Sequence, residues 1–279
     1  MTSRFLDGVR VVTTAQNVPG PLAAARMRDA GAMVTKIEPL AGDPFLAVSP
    51  AWHAELHSGI AIERIDLKST AGRERLTALL RDADILLTSQ RPSALARLGL
   101  DPASLRTVAP SLRIVRIVGS VADPERPGHD LTYQAQVGLV DDCVPRALLA
   151  DVMASERAFS ATLAVLRQPV GSVIDVGLVE SLEPMMASLR HGLTIEGGVL
   201  GGGAPRYAVY ETAEGRVAVA ALEPHFERHL ARELGVAAGT ELAATFRTRS
   251  AAEWQRWAEQ RGLPIVAIRN VSSSRSGVG

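Results

Sequence analysis

Residues 9–38 read VRVVTTAQNVPGPLAAARMRDAGAMVTKIE, two β-branched runs on either side of an alanine-rich segment. Val9 to Thr13 and Met33 to Ile37 have strand composition, and Pro21 to Ala30 has helical periodicity. Pro21 suits the first turn of a helix and Gly31 suits its end, so the segment between carries both start and stop signals. The stretch is a β-α-β unit. The same alternation continues outward. Helices are expected near Ala71 to Leu80, Ser93 to Leu98 and Pro102 to Val108, with strands at Asp84 to Thr88 and Arg113 to Val118. A helix from Leu149 to Leu166, a strand at Val173 to Val176 and a further helix reaching about His191 follow. Strands separated by helices predict an α/β fold with a Rossmann-like, mostly parallel sheet.

After these elements the sequence changes character. Gly197 to Gly203 is glycine-rich and reads as a linker. Tyr207 to Tyr210 and Val217 to Ala221 flank Ala213, Glu214, Gly215 and Arg216 as a hairpin, and helices at Pro224 to Leu234 and Ala252 to Gln260 precede Pro264 to Ile268. The expected organisation is a large domain over 1–196, a linker over 197–206, a smaller α+β domain over 207–270 and a disordered tail over 271–279.

Composition narrows the function classes. Thirty Lys and Arg balance thirty Asp and Glu among 279 residues, which argues against nucleic acid or a membrane surface as a partner attracted by net charge. No run is long and apolar enough to span a bilayer and Met1 to Gly20 lacks a signal-peptide layout, so the expectation is a cytoplasmic protein. The single cysteine, Cys143, has no partner for a disulfide and no companions for a zinc site. His53, His57, His191, His225 and His229 show no metal-binding spacing, and no metal is expected. The turn Val18-Pro19-Gly20-Pro21 lacks the three-glycine dinucleotide fingerprint, and its prolines remove amide donors that would hold a pyrophosphate. Glu38 in the ribose-binding position reads as a capping or surface carboxylate, and no NAD or FAD is expected.

Several ordered segments carry a resemblance. They are Gly8-Val9-Arg10-Val11-Val12, Pro19-Gly20-Pro21, Gly31 to Pro39 and Gly42-Asp43-Pro44, then Ile65-Asp66-Leu67-Lys68, Ala83-Asp84-Ile85-Leu86, Arg91-Pro92 and Leu98-Gly99-Leu100. In order and spacing this series resembles the family III CoA-transferases. Gly128-His129-Asp130-Leu131-Thr132-Tyr133 is similar to the α-methylacyl-CoA racemase branch, as are Gly202 to Tyr207 and Val219 to Phe226. The resemblance implies an acyl-CoA or other pantetheine thioester as substrate, no cofactor beyond the CoA moiety, and an interlocked homodimer with its active site between two domains. It places His129 and Asp151 as the catalytic pair, with Glu223 hydrogen-bonded to His129 and holding its tautomer.

Racemising a carbon beside a thioester needs two acid/base groups, one for each face. A histidine titrates at about 6.5, whereas an aspartate near 3.9 needs burial or a neighbouring carboxylate before it can serve as an acid. Asp151, at a helix start, should have its anion favoured by the helix, and the first-turn amides there could steady the enolate oxygen. Asp130 reads as a helix cap. Tyr133 and Tyr207 read as packing residues, and Tyr133 also as a contact to substrate.

The sequence also departs from the family. Where basic residues would hold the CoA phosphates it reads Leu56-His57-Ser58-Gly59-Ile60-Ala61, and Phe45 to Ser49 supplies no arginine. Arg64, Arg91 and Arg97 are the candidate replacements. The glycine-rich segment between the His129 and Asp151 regions is shortened to Val140 to Arg146. Only a short tail follows Gly262 to Val266, which predicts a dimer built differently or altered substrate access. Two other readings stay open: a CoA-transferase in which Asp151 attacks the acyl-CoA, and a repurposed relative that binds a partner or a carrier-bound thioester.

Overall fold

The computed structural model describes residues 4–237 and 239–269, so the expected tail over 271–279 lies outside the described residues. The chain divides into two compact units, Met1–Met186 and Ala187–Gly279. The first unit begins β1 (Arg10–Thr13), α1 (Pro19–Asp29), β2 (Met33–Glu38), α2 (Phe45–Val48), α3 (Pro50–His57), β3 (Ala61–Arg64), α4 (Thr70–Arg81) and β4 (Ile85–Thr88). It continues α5 (Pro92–Arg97), α6 (Pro102–Val108), β5 (Arg113–Val118), α7 (Asp130–Val137), α8 (Leu149–Val165), β6 (Val173–Gly177) and α9 (Leu178–Leu182).

The six strands form one parallel sheet in the order β3-β2-β1-β4-β5-β6. The chain builds outward from β1 in one direction, then returns to build from β4 in the other. That reversal opens a crevice at the carboxyl ends of β1 and β4, where sheets of this class place their ligands. Both faces are covered, so the central strand β4 is buried at every position. Ile85 and Leu87 face a core shared with α1 and α8, while Leu86 faces Leu76, Leu80, Leu95 and Leu105 from the helices on the other side.

Small residues decide how closely α8 can sit. Ala150, Ala154, Ala158 and Ala161 make a stripe at four- and three-residue spacing and join Ala23, Ala24 and Met27 of α1 in one core. The turn into α1 is equally tight, since a Cβ on Gly20 would overlap the Cβ of Ala15. The helix starts at Pro19, before the expected Pro21.

Four elements of this unit escape sequence reading. β3 is an edge strand without apolar alternation, with the burial pattern eeie. α2 and α3 are short, and α7 has little amphipathic pattern in DLTYQAQV. The expected helix to His191 is in pieces, with α9 followed by a 3-10 turn at Glu183–Met186. Pro184 has no amide to donate, and the carbonyl of Glu180, four residues back, instead accepts from the Arg157 guanidinium.

The second unit holds α10 (Ala187–Arg190), β7 (Tyr207–Glu211), β8 (Arg216–Ala220), α11 (Pro224–Leu234), α12 (Ala243–Phe246), α13 (Ala251–Glu259) and β9 (Ile265–Ala267). Its antiparallel sheet runs β7-β8-β9 over a core of Val217, Val219, Leu230, Phe246, Trp254 and Ile265. The Trp254 indole donates to the carbonyl of Phe246 at 2.8 Å, which satisfies the polar end of a buried ring. The glycine-rich stretch folds back on itself, Leu200 N donating to Leu193 O at 2.8 Å and Gly203 N to Gly198 O at 2.9 Å. Among the described residues no helix is long and apolar enough to cross a membrane.

Truncating the centre of the large sheet should be costly and truncating an exposed strand position should not. Leu86→Ala, at 0 % exposure, is expected to lower unfolding free energy by about 2 to 5 kcal/mol. Val266→Ala, at 58 % exposure, should stay within about 0.5 kcal/mol of the parent in the same denaturant titration.

Candidate active site

A cavity of about 250 Å³ lies at the carboxyl ends of β1, β4 and β5 in the first unit. Gln16 and Asn17 line it from the turn after β1, Ser89 and Arg91 from the turn after β4, and Val118 and Gly119 from the end of β5. Arg126, Gly128, His129 and Tyr133 close it from the α7 side, and Asp151 from α8. The diverging strands are tied together across the crevice. Gln90 donates its side-chain amide to Thr14 O at 2.6 Å, the Thr14 hydroxyl donates to Gln90 Oε1 at 2.8 Å, and Gln16 N donates to Ser89 Oγ at 3.1 Å.

His129, an exposed residue that lines the cavity, occupies the N-cap position of α7. Its backbone is pinned by Thr132, whose hydroxyl accepts from His129 N at 3.0 Å and donates to His129 O at 2.8 Å. One turn on, the Tyr133 ring is 6 % exposed and lies where a Cβ on either Gly119 or Gly128 would stand. Two glycines therefore make room for one ring. Burial holds the Tyr133 phenol above its usual range, against the pull of Arg91 and Arg126 and with some help from Asp151.

Asp151 is the third residue of α8. Burial, reinforced by the negative charge of Asp130, pushes its carboxyl up to about 7. The helix start was expected to favour the anion instead. The outcome follows from magnitude, since a helix terminus contributes about 0.3 to 1 kcal/mol while burial moves a carboxyl by several pKa units. Asp130 is likewise placed differently from the expected cap: it is the first residue of α7, 6 % exposed, and reaches across to the next helix. One Asp130 oxygen accepts from Asp151 N at 3.1 Å, and the other from Gln134 Nε2 at 2.5 Å. That bond also takes one of the α8 first-turn amides that were expected to face an enolate.

The remaining candidates scatter. Arg91 lines the cavity, whereas Arg64 and Arg97 do not. Arg64 stands 3.6 Å from Glu38 at the rim of a buried ionic cluster. Glu223 belongs to the second unit, exposed at the N-cap position of α11. Arg126, Asp130, Gln16 and Asn17 were missed as site residues. Arg126 and Asp130 flank His129 in sequence, and that proximity was the available signal.

The ionic cluster also corrects the expectation for Glu38. Glu38 is 1 % exposed and is neither a cap nor a surface acid, and His53 and His57 have partners. Lys36 Nζ lies 2.5 Å from Asp43, 2.7 Å from His57 Nε2 and 3.3 Å from Glu38, while His53 Nε2 is 3.4 Å from Glu38. Burial lowers the His57 imidazole below its usual range, and His57 Nδ1 bonds His53 O at 2.7 Å. The imidazole is therefore neutral, with Nδ1 donating and Nε2 free to accept from Lys36. Donor atoms of Glu38, Asp43, His53 and His57 lie within 4.8 Å of one another, a set that by type could hold a divalent cation. The Lys36 ammonium touches three of these four and already supplies positive charge there.

Comparison with known proteins gives a consistent result. The family model for CoA-transferase family III matches residues 6–276. A CaiB/baiF CoA-transferase family protein of Caenorhabditis elegans is 28% identical over 84% of this chain and 74% of its own length. The α-methylacyl-CoA racemase of Mus musculus is 32% identical over 83% of this chain, which spans 65% of the racemase. A probable fatty acyl-CoA transferase of Mycobacterium tuberculosis is 32% identical over 48% of this chain and 37% of its own length. In fold, the crystal structure of a hypothetical protein from Mycobacterium tuberculosis superposes with a TM-score of 0.84, covering 95% of this chain and 83% of that one at 23% identity.

The raised Asp151 carboxyl has a thermodynamic signature. The folded chain keeps this proton up to about pH 7, whereas the unfolded chain releases it near 3.8, so the native state binds more protons in between. Stability contributed by the neutral carboxyl is present at low pH and lost as pH rises from about 4 through about 7. The slope is at most about 1.4 kcal/mol per pH unit, less for a group partly open to solvent. Asp151→Asn should abolish that slope, so the variant gains on the parent between pH 5 and pH 8 in chemical denaturation. Identical pH dependence in both proteins would remove the basis for the shift.

Proposed function

The chain belongs to CoA-transferase family III, and on that premise we propose that it racemises the α-carbon of an acyl-CoA thioester, a 2-methylacyl group being the expected class. The observation that carries the reading is Asp151, whose carboxyl is pushed up to about 7 inside the cavity that His129 also lines. A two-base racemase needs each group to hold a proton in one direction and lack it in the other. Imidazole is suited to that near neutrality, and a carboxyl is suited only when raised in this way.

In one direction neutral His129 takes the α-proton and protonated Asp151 delivers one to the opposite face. In the other, the Asp151 carboxylate takes the proton and the His129 imidazolium returns it. The intermediate is an enolate whose oxygen bears the charge. Tyr133, held neutral by burial, keeps an O–H to donate, and Arg91 and Arg126 add positive charge at the same cavity. Of the three candidate replacements for the missing phosphate-binding cations, Arg64, Arg91 and Arg97, only Arg91 lines this cavity. The proposal takes the CoA moiety as part of the substrate and needs no other cofactor. The homodimer, and Glu223 acting on His129, belong to the same proposal.

A second reading draws on the transferase relatives. There Asp151 would attack the thioester carbonyl, forming a mixed anhydride as CoA thiolate leaves. Both readings use the Asp151 carboxylate, and it is His129 on the same cavity, a second proton carrier that attack by Asp151 does not need, that favours racemisation.

The test is α-hydrogen exchange in heavy water with each enantiomer of a 2-methylacyl-CoA separately. His129→Ala should lose about 10²-fold or more in exchange of the enantiomer whose α-proton His129 takes, and Asp151→Ala the same for the other enantiomer, with the fold intact by circular dichroism, as expected on removing a general base. Exchange unchanged in both variants would overturn the assignment, and labelled oxygen entering Asp151 during turnover would establish the transferase instead.

A further inference from the structure

Among the described residues Asn17 is the one non-glycine with a left-handed backbone, at φ 64°. It lines the cavity with Gln16, on the turn that carries the chain from β1 into α1. Asparagine tolerates this conformation better than most residues. Its amide is held from outside the cavity: Asn17 N donates to Asp43 Oδ1 at 3.2 Å, and Phe45 N donates to the same oxygen at 2.9 Å. The other Asp43 oxygen meets Lys36 Nζ at 2.5 Å. Asp43 and Lys36 are 2 % and 1 % exposed, and neither lines the cavity.

A buried ion pair of this kind is hard to justify as a source of stability, because desolvating both charges offsets their attraction. It does fix geometry. Lys36 projects from β2 and is held by Asp43, His57 and Glu38, so its ammonium has little freedom. Asp43 then has one oxygen committed to the ammonium and the other aimed at two amides. The rigid sheet thereby dictates where the Asn17 peptide sits. Backbone outliers at cavity walls are characteristic of sites whose geometry is held by the surroundings.

We propose that Lys36 and Asp43 are positioning residues, which through the left-handed Asn17 hold the Gln16–Asn17 wall in the shape that binds the thioester. The inference rests on the cavity being a thioester site, and extends that reading to residues outside it. Losing the Lys36–Asp43 pair frees the Asn17 amide, and the wall relaxes without any cavity side chain being altered.

The experiment measures the dissociation constant for acetyl-CoA by titration calorimetry, with thermal melting alongside. Asn17→Gly and Asn17→Val both remove the side-chain amide, but glycine keeps access to the left-handed backbone and valine does not, so Asn17→Val should bind about tenfold or more weakly than Asn17→Gly. Asp43→Asn, remote from ligand, should weaken binding comparably and speed hydrogen exchange at the Asn17 amide. Should Asp43→Asn fail to fold, the Asn17 pair decides. Equal affinity for Asn17→Val and Asn17→Gly, or unaltered affinity in a folded Asp43→Asn, overturns the proposal. A parent that binds acetyl-CoA without exchanging α-protons contradicts only the racemase reading, and the affinities still decide the role of Lys36 and Asp43.

Discussion

The site depends on one hydrogen bond between two helix starts. Asp130, at the first position of α7, accepts the amide of Asp151 in the first turn of α8, which locks the two helices in register and sets two carboxylates close together. His129 precedes Asp130 and the Tyr133 ring follows it, so two cavity-lining residues take their places from the start of the same short helix. The bond also has an electrostatic consequence. A carboxylate that orients Asp151 through its amide opposes ionisation of the Asp151 side chain, and burial of that side chain acts in the same direction. Position and proton affinity thus have a common origin.

The parallel sheet supplies the frame. Its order reverses between β1 and β4, the crevice opens there, and side-chain amides and hydroxyls of Thr14, Gln90 and Ser89 bridge it. The alanine stripe of α8 lets that helix lie close against α1, bringing its first turn to the crevice. On the other flank the Lys36 cluster anchors the turn after β1. Two independent constraints therefore converge on the cavity, one from α7 and α8 and one from β2.

Most of the parallel sheet was legible because buried strands and long helices leave strong periodicities, as at Arg113 to Val118 and Pro102 to Val108. The edge strand β3 was not, since an exposed strand has no apolar pattern to show. His129 and Asp151 were legible through family resemblance, not through spacing. What sequence could not show was the partner of each group. Asp130 looked like a cap because acids beside helix starts usually are, and only the fold turns its carboxylate toward a different helix. Glu38, His53 and His57 are spread over residues 38–57 and meet only where α3 comes to the end of β2, so Glu38 read as a capping or surface acid and the two histidines as lacking a metal-binding spacing.

The central claim is that burial and Asp130 together hold the Asp151 carboxyl near neutrality. Carboxyl-carbon NMR of Asp151, followed against pH in the parent and in Asp130→Asn, tests it most directly. The account predicts a midpoint of about 7 in the parent and a lower one, still above the ordinary carboxylate range, once the Asp130 charge is gone. A parent midpoint near about 4, the value of an ordinary aspartate, would contradict it.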